Sequence, residues 1–131
     1  MEPRVGVGAV IVNADGEWLL LQRKRSPEAG CWSIPGGKVD WMETIEEAIV
    51  REVKEELGVV VQLERLLGVT NHRLREENAH WVAPTFQASL LEGVPYNVEP
   101  EKHEAVRWIH PDDWPPNVTE TTKAAYRFFN C

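Results

Sequence analysis

Hydrophobic positions along the chain switch between two periods. Val5 to Val12 is β-rich, broken by Gly6 and Gly8, and predicts a central strand. Asn13-Ala-Asp-Gly16 predicts a turn, and Glu17 to Gln22 a returning strand that would close a hairpin. A basic loop, Arg23 to Gly30, then leads to a short strand at Trp32 to Ile34 and a tight turn at Pro35-Gly36-Gly37. From Ile45 the period becomes helical: Ile45, Ala48, Ile49, Val53 and Leu57 form one apolar stripe. Thr44 followed by Glu47 is a capping box, so the helix should start near Ile45. Gly58 tolerates a left-handed conformation and should end it.

Beyond the helix, Val59 to Val69 predicts a strand and Asn71 to Asn78 a charged loop or hairpin tip. His80 to Leu91 predicts a strand in which Pro84, lacking an N–H, belongs at an edge or bulge. Gly93 to Lys102 is a loop, Ala105 to Ile109 a last strand, Pro111 to Pro116 a turn, and Thr119 to Phe129 a closing helix. Strands on both sides of a helix give the α/β class, with a mixed sheet covered by helices.

Length and charge narrow the function. The 131 residues suggest one domain, residues 1–131, with a real core. A formal net charge of −7 disfavours a nucleic acid polymer as partner. A small phosphate ester carried with a metal ion is compatible, because the cation dominates the local field. Two cysteines, Cys31 and Cys131, make no disulfide framework, which favours a reducing, cytoplasmic setting. No signal peptide or membrane-spanning run is expected.

The helix carries the candidate chemistry. At about 100° per residue, Glu56 lies roughly 40° from the centre of the apolar stripe and Glu52 about 80°. Glu55 falls on the far flank, with Arg51. Acidic runs on helices are usually solvated, and that reading suits Glu47, which can pair with Arg51 at i,i+4. It suits Glu56 poorly, because a carboxylate beside an apolar face needs a compensating charge. A divalent cation supplies one, and magnesium favours carboxylate oxygens together with phosphate oxygens.

Gly37, Glu43, Arg51, Glu52, Val53, Glu55, Glu56, Gly58 and Val59 fill every fixed position of G-x5-E-x7-R-E-U-x-E-E-x-G-U, where U is bulky and apolar. The segment resembles the Nudix box. The resemblance implies a Nudix-type α/β/α sandwich and hydrolysis of a nucleoside diphosphate linked to a further group. It implies Mg²⁺, with Mn²⁺ as a substitute, held by Glu52, Glu55, Glu56 and the Gly37 carbonyl. Glu55 is then either a ligand or the base, Arg51 an orienting residue, and Glu43 either structural or catalytic.

Outside the box, Arg23 and Arg25 could reach phosphates or form a solvated basic loop. Glu99, Glu101 and Glu104 precede Trp108, and relatives often place one more acid in this region; Glu104 is preferred, then Glu101. His72, His80, His103 and His110 lack metal-ligand spacing with cysteine and read as surface or satisfied histidines. Trp32 and Trp81 are candidates for stacking on a base. Val5-Gly-Val-Gly8, Leu20 to Arg25 and Val98 to Lys102 are similar to MutT-like nucleotide-pool enzymes. That similarity implies a nucleoside triphosphate substrate, a modified purine among the options, cut to monophosphate and pyrophosphate. It leaves a homodimer open. Prenyl diphosphate, dihydroneopterin triphosphate, a nucleotide sugar, and a non-catalytic nucleotide-binding module are the alternatives.

Overall fold

The computed structural model describes residues 2–131. Its strands divide between two sheets. One has the order β4-β1-β6-β5, built from β1 (Arg4–Ile11), β4 (Gly36–Lys38), β5 (Val60–Leu74) and β6 (Ala79–Glu92). The other has the order β3-β2-β7, from β2 (Trp18–Arg23), β3 (Trp32–Ser33) and β7 (His103–Ile109). Strands β1 and β6 run parallel, while every other neighbouring pair is antiparallel, so the larger sheet is mixed. Helix α1 spans Ile45–Leu57 and α2 spans Glu120–Phe129.

Alternation along the strands sends side chains to two cores. Val7, Ala9 and Ile11 of β1 join Leu19 and Leu21 of β2 against Ala48, Ile49, Val53 and Leu57 of α1. The intervening Val10, Trp18 and Leu20 face the other way, onto Val118 and Ala125, with Phe129 of α2 packed against them. One helix therefore covers each face, which is the expected α/β/α sandwich. Leu57 is 0% exposed, and truncating it to alanine should cost about 2–5 kcal/mol.

The caps of α1 form as the sequence predicts. Thr44 accepts from the Glu47 N–H, Glu47 accepts from the Thr44 N–H, and Gly58 adopts φ 69°. Other expectations need correction. Strands β1 and β2 do not pair as a hairpin; after a single bridge, Val12 to Trp18, they diverge into different sheets. Pro84 lies in β6, a central strand, not at an edge. There the ladder to β1 skips from Val5–Val82 to Gly8–Thr85, which accommodates the missing N–H. Gly36 to Lys38 is a strand on β1 rather than a turn, because without side chains its glycines can lie close against the Val7 backbone. Strand β5 continues to Leu74, leaving a short 3-10 turn, Arg75–Glu77, as the hairpin tip.

Candidate active site

Three chain segments meet at the end of α1. The helix presents Glu52 and Glu56 one turn apart. Strand β4 lies against them: the Gly36 N–H donates to Glu56 Oε1 at 2.9 Å, and a Cβ on Gly37 would collide with the Glu52 carboxylate. The third segment is the loop after β6. Its N–H groups at Tyr96 and Val98 donate to the carbonyls of Leu57 and Glu56 at 3.1 and 3.2 Å. These carbonyls lack partners within the helix, so the loop acts as an external cap. The loop then turns tightly, with Lys102 and His103 N–H both donating to the Glu99 carbonyl. That turn brings Glu99 and His103 to Glu56.

Arg51 organises the acids on the solvent side. Its guanidinium forks onto Glu43, with Nε to Oε2 at 2.7 Å and Nη2 to Oε1 at 2.9 Å. Nη1 donates to Glu52 at 2.8 Å and to Glu55 at 3.2 Å, and Nη2 reaches the Lys38 carbonyl at 2.9 Å. The Glu47–Arg51 pair does not form: Glu47 is taken by the cap, and the guanidinium is drawn to the denser acid cluster.

Charge is distributed unevenly over these groups. The Arg51 hydrogen bond, with help from the Asp40 N–H, holds Glu43 down at about 2. The same bonds raise Arg51 above its usual range. Burial raises Glu52, and Arg51 opposes that. Glu56 is 8% exposed, and burial pushes it up to about 8 despite the Gly36 hydrogen bond. His103 is 6% exposed, and burial lowers it below its usual value. Its Nε2 approaches Glu56 Oε2 at 3.4 Å. Since burial favours the neutral form of both, this contact is not an ion pair at neutral pH.

A cleft of about 300 Å³ opens beside this cluster, at the small end of ligand sites. Glu56, Gly37, His103, Arg23, Lys38 and Trp81 are among its lining residues. Trp81 is half-buried, with the Arg4 guanidinium 5.7 Å from its ring centre.

Several sequence candidates lie elsewhere. Trp32 is buried in the α2-side core and does not line the cleft, so its faces are not free for a base. Arg25 is exposed and Arg23 half-buried, and only Arg23 lines the cleft. Glu104 points to solvent and pairs with Lys24 at 3.9 Å, and Glu101 is exposed. The acid brought to Glu56 is Glu99, whose Oε2 is 3.1 Å from Lys102 Nζ. His103, read from sequence as a satisfied or surface histidine, is buried at the site. The signal that could have flagged the pair is the i,i+4 spacing of Glu99 and His103.

The NUDIX domain family model matches residues 2–129. The chain belongs to the Nudix family. It is similar to the crystal structure of a MutT NUDIX hydrolase from Burkholderia pseudomallei, with 50% identity and a TM-score of 0.90, covering 97% of this chain and 98% of the other. It is 39% identical over 93 residues to an ADP-ribose pyrophosphatase of Methanocaldococcus jannaschii, covering 71% of this chain but 54% of that protein. It is 31% identical over 113 residues to the CTP pyrophosphohydrolase of Escherichia coli, covering 83% and 78%. Nudix hydrolases use divalent metal, and the donor set here suits one: oxygens of Glu56 and Glu99 and a nitrogen of His103 lie together, and the buried Glu56 carboxylate has no full protein partner for its charge. No helix among the described residues is long and apolar enough to cross a membrane.

Proposed function

We propose that the chain acts as one Nudix domain, residues 1–131, and is a Mg²⁺-dependent pyrophosphohydrolase of nucleoside triphosphates, deoxynucleotides in particular. The observation that carries this reading is the carboxylate set of α1: Glu52 and Glu55 held by Arg51, and Glu56, one turn from Glu52, lining a cleft that also contains an aromatic ring. A bound divalent cation would neutralise the polyphosphate charge that repels water and polarise a phosphoryl oxygen. Glu52, Glu56 and the Gly37 carbonyl are the residues to hold it. Arg51 keeps Glu52 and Glu55 oriented through charge-assisted bonds. Glu55, exposed and paired with Arg51, is the base that takes the proton from the attacking water in this reading. Arg23 and Lys38 offer positive charge to the phosphates, and Trp81 offers a stacking surface to the base. Water adds to phosphorus, the α–β anhydride bond breaks, and monophosphate and pyrophosphate leave.

The test is product analysis over the deoxynucleoside triphosphates with Mg²⁺, then in excess chelator. We expect monophosphate plus pyrophosphate, lost on chelation, and a fall of at least about 10²-fold in Glu56→Gln. Inorganic phosphate with a diphosphate product, or full turnover in chelator, would overturn the reading. Prenyl diphosphates cleaved much faster than every nucleotide would leave the carboxylates standing and remove the base site.

A further inference from the structure

The turn at Glu99–His103 adds something the helix acids do not have, a nitrogen donor. One ligand atom from each of Glu56, Glu99 and His103 lies within 4.8 Å of the others. An octahedral ion with bonds of about 2.1 Å needs neighbouring donors about 3.0 Å apart and opposite ones about 4.2 Å apart. The 3.4 Å between His103 Nε2 and Glu56 Oε2 is close to the first of these. The three donors are held by main-chain bonds on both sides: Val98 N–H to the Glu56 carbonyl, His103 N–H to the Glu99 carbonyl, and Lys24 N–H to the Lys102 carbonyl.

The ring of His103 is poorly explained as a structural element. It is buried, its Nδ1 has no hydrogen-bond partner, and Nε2 makes only the long approach to Glu56. An unpartnered buried polar atom carries a desolvation cost, and no structural contact of this ring repays it. The imidazole also lines the cleft, beside Glu56.

We propose that His103 is a metal ligand, and that with Glu56 and Glu99 it forms a mixed nitrogen–oxygen subsite favouring a first-row transition ion such as Mn²⁺ over Mg²⁺. Magnesium is hard and binds through oxygen, whereas imidazole suits transition ions. An all-carboxylate site would not separate the two on ligand type. Glu99 is shared with Lys102 through one oxygen, Oε2, which leaves Oε1 for the ion. The proposal rests on the reading of the α1 glutamates as metal ligands.

Pulsed EPR of the full chain with stoichiometric Mn²⁺ tests it directly. Wild type should show ¹⁴N modulation from a directly bound imidazole. His103→Gln replaces the nitrogen with an amide oxygen and should abolish the modulation. In that variant Mn²⁺ affinity should fall roughly tenfold or more, since lost outer partners alone cost this much. Mg²⁺ affinity, read by competition, should change less than about threefold. Bound Mn²⁺ without nitrogen coupling in wild type, or coupling that persists in His103→Gln, overturns the proposal. If hydrolysis then still depends on Mn²⁺, only the role of His103 falls. If wild type binds no Mn²⁺, the reading of the helix glutamates falls with it.

Discussion

Glu56 makes the stability of the metal-free protein depend on pH in a direction opposite to most carboxylates. Its native value, pushed up to about 8 by burial, stands above the 4.5 of an unperturbed glutamate. The folded state therefore holds a proton that the unfolded chain has released, and stability falls as pH rises between these two values. Glu52, also raised by burial, acts in the same direction from pH 4.5 upward, and the remaining groups act in separate windows. Glu43, held at about 2, contributes stability that is lost only as pH falls from 4.5. His103, lowered from 6.5, gives stability that grows as pH rises toward 6.5 and is then complete. Between pH 6.5 and 8 Glu56 dominates. One and a half pH units at about 1.36 kcal/mol each amount to about 2 kcal/mol.

For a chain of this size that loss lowers the melting temperature by about 6–10 °C. The assay is thermal unfolding followed by circular dichroism in chelator, at half-unit steps from pH 6.5 to 8. Glu56→Gln keeps an acceptor for the Gly36 N–H but cannot ionise, so its melting temperature should fall clearly less across the same range. Added Mn²⁺ should stabilise wild type more at pH 8 than at pH 6.5, because the ion takes the deprotonated ligand. A level wild-type profile, or an equal slope in Glu56→Gln, would refute the reasoning.

Other perturbations separate the roles of neighbouring residues. Gly37→Ala places a methyl into the Glu52 carboxylate, and should lose about 1–3 kcal/mol on chemical denaturation. Arg51→Lys keeps the charge but not the fork that holds Glu43; kcat should drop roughly 10- to 100-fold with KM little changed, and an unaltered kcat would take Arg51 out of the orienting role. Trp81→Ala should compress the ranking of kcat/KM among deoxynucleotides by about one order of magnitude. Trp32→Ala should instead cost about 3–5 kcal/mol of stability and leave the ranking as it was, because its ring is core.

What the sequence shows depends on whether the cause is local. The two ends of α1 are written in neighbouring residues, Thr44 with Glu47 and Gly58, and both form as read. The same holds for Glu52 and Glu56, whose common face follows from spacing alone. The division of β1 and β2 between two sheets does not follow from spacing. A turn and two apolar runs describe a hairpin equally well, and the separation is decided by distant partners, β6 for one strand and β7 for the other. Pro84 misleads for a similar reason, since a gap in one ladder admits it to a central strand. Glu99 and His103 reach Glu56 only because the loop after β6 caps the free carbonyls of α1, a main-chain contact that leaves no mark on side-chain pattern.

The acids at the site thus fall into two sets with different needs. Arg51 spends its donors on Glu43, Glu52, Glu55 and the Lys38 carbonyl. Those acids have a cation beside them whether or not a ligand is present. Glu56 has one neutral N–H and a buried imidazole, and the charge of Arg23 acts only weakly against its burial. A carboxylate so placed has two ways to remain in a folded protein at neutral pH: keep a proton or take a cation. The first leaves the array short of a charge, and the second completes it. Proton and metal therefore compete for the same oxygen atoms, and this competition couples the stability of the chain to the loading of its candidate site.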